Sequence, residues 1–173
     1  MKKVLVAILM FLPMVVSAYD VEVDGIYYNL IEKAKIAEVT SGGNYEGDII
    51  IPSSIDYDGK TYTVEKIGDD AFQSCNLYTI KLASSITTIG NRAFRGCWKL
   101  KTVILPQGLL YIGEDAFMGC STLSSIEIPN TVTTIGRCAF LDCSELSSIV
   151  IPKSITPLNG SVFHGCKKLS SVI

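Results

Sequence analysis

The stretch that decides the fold is Leu123-Ser124-Ser125-Ile126-Glu127-Ile128-Pro129-Asn130-Thr131-Val132-Thr133-Thr134-Ile135-Gly136-Arg137-Cys138-Ala139-Phe140-Leu141-Asp142-Cys143. Leu123-x-x-Ile126-x-Ile128 alternates as a short strand does when one face is buried. Pro129 ends that strand, because proline has no amide hydrogen to donate to a ladder. Val132 and Ile135 point inward on the next leg. Gly136 is expected to permit a turn that a β-carbon would resist. Phe140 and Cys143 stand three apart, so one helical turn brings both to the same side.

The same unit recurs on either side. Cysteines fall at Cys75, Cys97, Cys120, Cys143 and Cys166, and phenylalanines at Phe72, Phe94, Phe117, Phe140 and Phe163, with spacings of 22, 23, 23 and 23. The short step comes from Cys75-Asn76-Leu77, which lacks one residue of the Cys97-x-x-Leu100 pattern. A unit of this size cannot bury its apolar side alone, so the copies must stack and cover one another. Departures are few: Ala83 takes the proline place, Asn159 the glycine place and Val162 the alanine place.

The pattern Leu-x-x-Ile-x-Ile-Pro-x-x-(Val/Ile)-x-x-Ile-Gly-x-x-Ala-Phe-x-x-Cys resembles the BspA-like class of bacterial leucine-rich repeats from Ile49 to Ile173. The resemblance implies a horseshoe-type solenoid, with a parallel sheet on the concave face and short turns or helical turns on the other. It also implies a secreted or cell-surface protein of a host-associated bacterium, tied to adhesion and host matrix proteins.

Residues 1–18 read as a signal peptide: Lys2 and Lys3, the apolar run Val4–Val16, then Val16-Ser17-Ala18 before a cut at Tyr19. Residues 19–48 form an N-terminal β cap over the open first coil. Hairpins are expected at Val21–Tyr28 around Asp24-Gly25 and at Ile55–Val64 around Asp58-Gly59, with another strand in Ala34–Thr40. Residues 49–173 hold five repeats and end within a sixth strand. That strand, with Val172 and Ile173, is either the cut end of a longer repeat protein or a pairing edge.

Cleavage leaves 13 basic and 17 acidic residues, a formal charge of −4. This disfavours nucleic acid and anionic membranes, which reward basic patches. No later segment is long enough to span a membrane. The five-cysteine column is expected to be buried free thiols, since stacked side chains point the same way and five leave one unpaired. Cys138 shares a place with Asp70, Arg92, Asp115 and Ser161, read as outward and exposed. No Cys-x-x-Cys pair or calcium loop is present, so no metal or other cofactor is expected. The only histidine, His164, cannot supply both a base and its orienting partner, so no catalytic residue is named and no enzyme is expected. Asp69-Asp70 and Glu114-Asp115 are expected on a solvated face, and Trp98 packed on the adjacent coil.

Function is expected on the strand leg. Ile80, Val103, Ile126, Ile149 and Val172 point inward, as do Leu82, Leu105, Ile128 and Ile151. One outward column is Thr79, Thr102, Ser125, Ser148 and Ser171. The next is Lys81, Ile104, Glu127, Val150 and Ile173, which changes from coil to coil. The binding residues are therefore Lys81, Ile104, Glu127, Val150, Thr102, Ser125 and Ser148, with a protein or glycan ligand on a host surface or matrix. The other reading is a structural spacer or truncated repeat block with no ligand of its own.

Overall fold

The computed structural model describes residues 19–155, 158 and 160–172. The signal-peptide reading of Met1–Ala18, the glycine replacement at Asn159 and the outward Ile173 lie outside them.

The chain begins as an antiparallel meander of β1 (Val21–Val23), β2 (Ile26–Ile31) and β3 (Ile36–Val39). Asp24 and Gly25 take φ of 50° and 79° at the first corner, as the Asp-Gly pair requires. After β4 (Glu46–Ile50), β5 (Ser54–Tyr57) and β6 (Lys60–Ile67) form the second hairpin around Asp58-Gly59. The coils then supply β7 (Asn76–Lys81), β8 (Thr88–Ile89), β9 (Thr102–Ile104), β10 (Tyr111–Ile112), β11 (Ser125–Glu127), β12 (Thr134–Ile135), β13 (Ser148–Val150) and β14 (Ser171–Val172).

Two parallel ladders run along the stack. One is β4-β7-β9, followed by β11-β13-β14 with β11 lying beside β9. The other is β3-β6-β8-β10-β12, so the N-terminal meander joins the repeat stack through β3. The second ladder is a finding: its two-residue strands, such as Thr134–Ile135, are too short for periodicity to announce.

The third side of each coil is built of short turns, as the resemblance allows, with no helix among the described residues. Its turns are bonded from coil to coil. Phe94 N–H donates to Ala116 O at 2.8 Å, Phe117 N–H to Ala139 O at 2.8 Å and Phe140 N–H to Val162 O at 3.0 Å. These bonds take backbone groups that a helix would have used internally. Asp70, Arg92, Asp115, Cys138 and Ser161 all take φ of 54–60° here. The column read as simply outward is therefore a left-handed column, and Cys138 is half-buried rather than exposed.

The core is a set of columns. Phe72, Phe94, Phe117 and Phe140 are fully buried and stack at 5.2, 5.1 and 5.3 Å with ring planes within 6°. The coil repeat sets that spacing, which matches an offset aromatic stack. Cys97, Cys120 and Cys143 are buried beside them, while Cys75 and Cys166 at the ends are half-buried. Each inner thiol donates to the preceding coil: Cys97 to Phe72 O at 2.9 Å, Cys120 to Phe94 O at 3.2 Å and Cys143 to Phe117 O at 3.2 Å.

Gly136 needs a different account from the one its place in a turn suggested. Its φ is not positive. Instead, an added β-carbon would meet the backbone of Glu114 and, at 2.5 Å, the carbonyl carbon of Gly113. Glycine is required because coils approach too closely for any side chain.

Candidate functional site

Alternation on the strand leg settles which side chains face out. In β9, β11 and β13 the middle residue is buried and its two neighbours are exposed. Val103, Ile126 and Ile149 fill the core, with 7, 6 and 2% of their surface accessible. Val172 was expected to do the same. It is 50% exposed, because no described coil covers it.

Thr102, Ser125 and Ser148 are exposed on one outward column, with Thr79 and Ser171 half-buried at its ends. Thr79 pairs with Thr102, and Ser125 with Ser148 and Ser148 with Ser171. The neighbouring column holds Lys81, Ile104, Glu127 and Val150, all exposed. It begins one coil earlier than the sequence reading placed it. Ile50 pairs with Lys81, Lys81 with Ile104 and Glu127 with Val150. Ile50 is 71% exposed, against 46% for Ile104 and 52% for Val150. Its signal was present: Ile50 precedes Ile51-Pro52 as Glu127 precedes Ile128-Pro129.

The face is shallow. A depression of about 150 Å³ lies between Ile104 and Glu127, over Val103, Leu105 and Gln107. A wider one of about 400 Å³ is lined by Glu46, Gly47, Asn76, Tyr78 and Lys99. Nearby Trp98 is 54% exposed, with Lys99 Nζ 4.6 Å from its ring centroid. About half of the Trp98 surface is thus accessible, and a lysine from its own turn caps its ring.

Charge is distributed in two ways. Away from the strand face, opposite charges sit on adjacent coils and bond. Arg92 holds Asp70 through two bonds of 2.8 Å, and Arg137 reaches Glu114 at 2.7 Å. Asp69 accepts from the Asn91 N–H at 2.7 Å. The acidic pairs expected on a merely solvated face are thus tied to the following coil. On the strand face, Lys81 and Glu127 stand two coils apart with Ile104 between them. Neither makes an ion pair among the described residues.

Burial pushes the Cys97 and Cys143 thiols up to about 12 and the Cys120 thiol well above its ordinary value. Sulfur attacks as thiolate, so this column is poor in nucleophile at neutral pH. His164 is exposed on the last turn. No group of three or more His, Cys, Asp or Glu converges among the described residues. No helix among them is long and apolar enough to cross a membrane.

Residues 50–173 match the BspA type leucine rich repeat region in six copies. Among solved structures, a leucine-rich repeat protein of T. pallidum is 32% identical with a TM-score of 0.77, over 85% of this chain and 67% of that one. One from Bacteroides ovatus is 33% identical with a TM-score of 0.82, over 89% of this chain and 41% of that one. A leucine-rich cell surface protein of Faecalibacterium prausnitzii is 29% identical with a TM-score of 0.76, over 87% and 38%. The chain thus spans about two thirds of the first and about two fifths of the other two. No curated protein matches the sequence.

Proposed function

Because this chain belongs to the BspA-type leucine-rich repeat family, we propose that it is an exported interaction module whose strand face captures a protein partner without catalysing a reaction. The observation that carries the reading is the column Ile50, Lys81, Ile104, Glu127 and Val150. Its residues are exposed on five coils and differ in chemistry, whereas the columns around it repeat. Exposed apolar side chains between charges are what a recognition surface needs: desolvation for affinity and charge for register. The Thr102, Ser125 and Ser148 hydroxyls beside them can each donate and accept.

The site of action is outside the cell, with Met1–Ala18 removed before Tyr19, and the role is adhesion to a host surface or its matrix. Its relative from Faecalibacterium prausnitzii is described as a cell surface protein. Mass spectrometry of the exported chain should find Tyr19 at its N-terminus; a retained Met1 would end the cleavage reading.

The test of the surface is capture from host surface extracts with the purified chain as bait. Ile104→Ala, Glu127→Ala and Val150→Ala together should abolish capture of the bound protein while thermal unfolding stays nearly unchanged. Undiminished capture refutes this face. Glycosidase treatment that removes the signal moves the ligand from protein to glycan. An empty capture favours the spacer reading.

A further inference from the structure

We propose that the strand face also pairs with a second copy of this chain, about a two-fold axis that runs along β9 at Ile104. The inference rests on the reading of that face as the binding surface and names one occupant for it.

From one end to the other the exposed column runs Ile50, Lys81, Ile104, Glu127, Val150. Read in reverse, it keeps its apolar positions and exchanges base for acid. A two-fold axis in the interface plane and parallel to the strands leaves each column opposite itself and inverts the order of coils. Lys81 then faces Glu127 of the second copy, and Glu127 faces Lys81 of the second copy. Ile50 faces Val150 twice, and Ile104 meets itself on the axis. This is the reciprocity an isologous contact demands.

These two charges have no use for each other within one chain. Strands stack about 4.8 Å apart, so two coils separate Lys81 from Glu127 by about 10 Å, with Ile104 between. Elsewhere the chain places opposite charges one coil apart, and they bond: Arg92 with Asp70 at 2.8 Å, Arg137 with Glu114 at 2.7 Å and Lys168 with Glu145 at 2.6 Å. The hydroxyl column is also self-complementary, because a hydroxyl both donates and accepts. Asp48, paired with Thr79 at its head, would face Ser148. One residue opposes the contact: exposed Lys101, just before β9, meets its own copy near the axis.

Five strands at that spacing give a face of a few hundred Å² per copy, well below the roughly 800 Å² per partner of a stable complex. The dimer is therefore weak, is populated where chains are concentrated or clustered, and loosens with salt.

Sedimentation of the purified chain from about 20 μM to 1 mM brackets the affinity of so small an interface. The expected result is a concentration-dependent dimer. Lys81→Glu or Glu127→Lys alone should weaken it about tenfold or more, since each creates two like-charge contacts. The two together restore the pairing and should return affinity to within about threefold of the parent. Lys101→Ser should tighten it. On oxidation, Ile104→Cys should form a covalent dimer above the background of the parent's six cysteines. Val150→Cys, far from the axis, should not. A monomer at every concentration, a dimer indifferent to either reversal, or a double variant no better than the singles overturns the proposal. All these sites are exposed, and circular dichroism melts verify that each variant is folded. A monomeric chain whose triple-alanine variant still loses a captured host protein removes the second copy and keeps the binding face. A charge-dependent dimer that captures nothing else keeps the second copy and removes the foreign partner.

Discussion

The sharpest test of how the coils fit together is Gly113→Ala. An added β-carbon would stand 2.6 Å from Asn91 N, from Gly90 C and from Gly90 O, all backbone atoms of the preceding coil. Relief to an ordinary contact near 3.4 Å requires the coils to part by about 0.8 Å. That shift takes the Gly113 N–H bond to Ile89 O from 2.9 Å, and the Glu114 N–H bond to Asn91 Oδ1 from 2.9 Å, out of hydrogen-bonding range. Two lost bonds at about 1 kcal/mol each and about 1–3 kcal/mol of overpacking give a loss of about 3–5 kcal/mol. With a urea slope near 2 kcal/mol/M, the midpoint should fall by about 2 M. Far-UV circular dichroism and intrinsic fluorescence should be followed together, because stacked repeats can unfold in parts. Gly119→Ala is the control: φ is +73° but the nearest atom is 3.7 Å away, so only the left-handed conformation is penalised, at about 1 kcal/mol. A Gly113→Ala midpoint within about 0.5 M of the parent, or equal losses for the two variants, would refute close approach as the reason for this glycine column.

Three further outcomes follow from single columns. Ser85, Thr131 and Ser154 donate hydroxyls to Val64 O, Leu109 O and Val132 O at 2.6–2.7 Å, whereas Gly108 leaves that place empty with its nearest atom at 3.5 Å. Gly108→Ser should reach Ile86 O and raise stability by about 1 kcal/mol in the same urea titration. Cys138→Asn should raise it by up to about 1 kcal/mol, because asparagine tolerates a φ of 55° better than cysteine does; the same variant should lose one iodoacetamide-accessible thiol. Stability should also fall above pH 9: unfolding lets the Cys97 and Cys143 thiols ionise at their ordinary value, whereas burial holds them neutral up to about 12. The loss is up to about 1.4 kcal/mol per thiol per pH unit, complete by about pH 12 and absent below pH 8. Urea midpoints at pH 7, 9 and 10.5 check it, and Cys97→Ala/Cys143→Ala should flatten the decline.

Much of the fold could be read from one unit. Period-2 alternation in Leu123–Ile128 is a local property, so the inward Ile126 and outward Glu127 follow from it. The 23-residue interval in Phe and Cys could arise only from stacking, and Asp24-Gly25 and Asp58-Gly59 carried their hairpins by turn chemistry. The outward positions Lys81, Ile104, Glu127 and Val150 were legible for the same reason, and Ile50 was missed only because the first coil is interrupted by the β5–β6 hairpin.

Sequence alone therefore determined what each coil hides and what it shows, since both depend on the direction of alternate side chains along one strand. Tertiary structure decided everything that depends on the gap between coils. It made Gly113 and Gly136 a matter of distance rather than φ, and Asp70, Arg92, Asp115 and Cys138 a left-handed column. It bonded Arg92 to Asp70 and left Lys81 and Glu127 without partners among the described residues. The physical reason is that neighbours across the stack are 22 or 23 residues apart in the chain. Whether two of them touch is set by a coil spacing of a few ångströms, which no pattern within a single coil encodes.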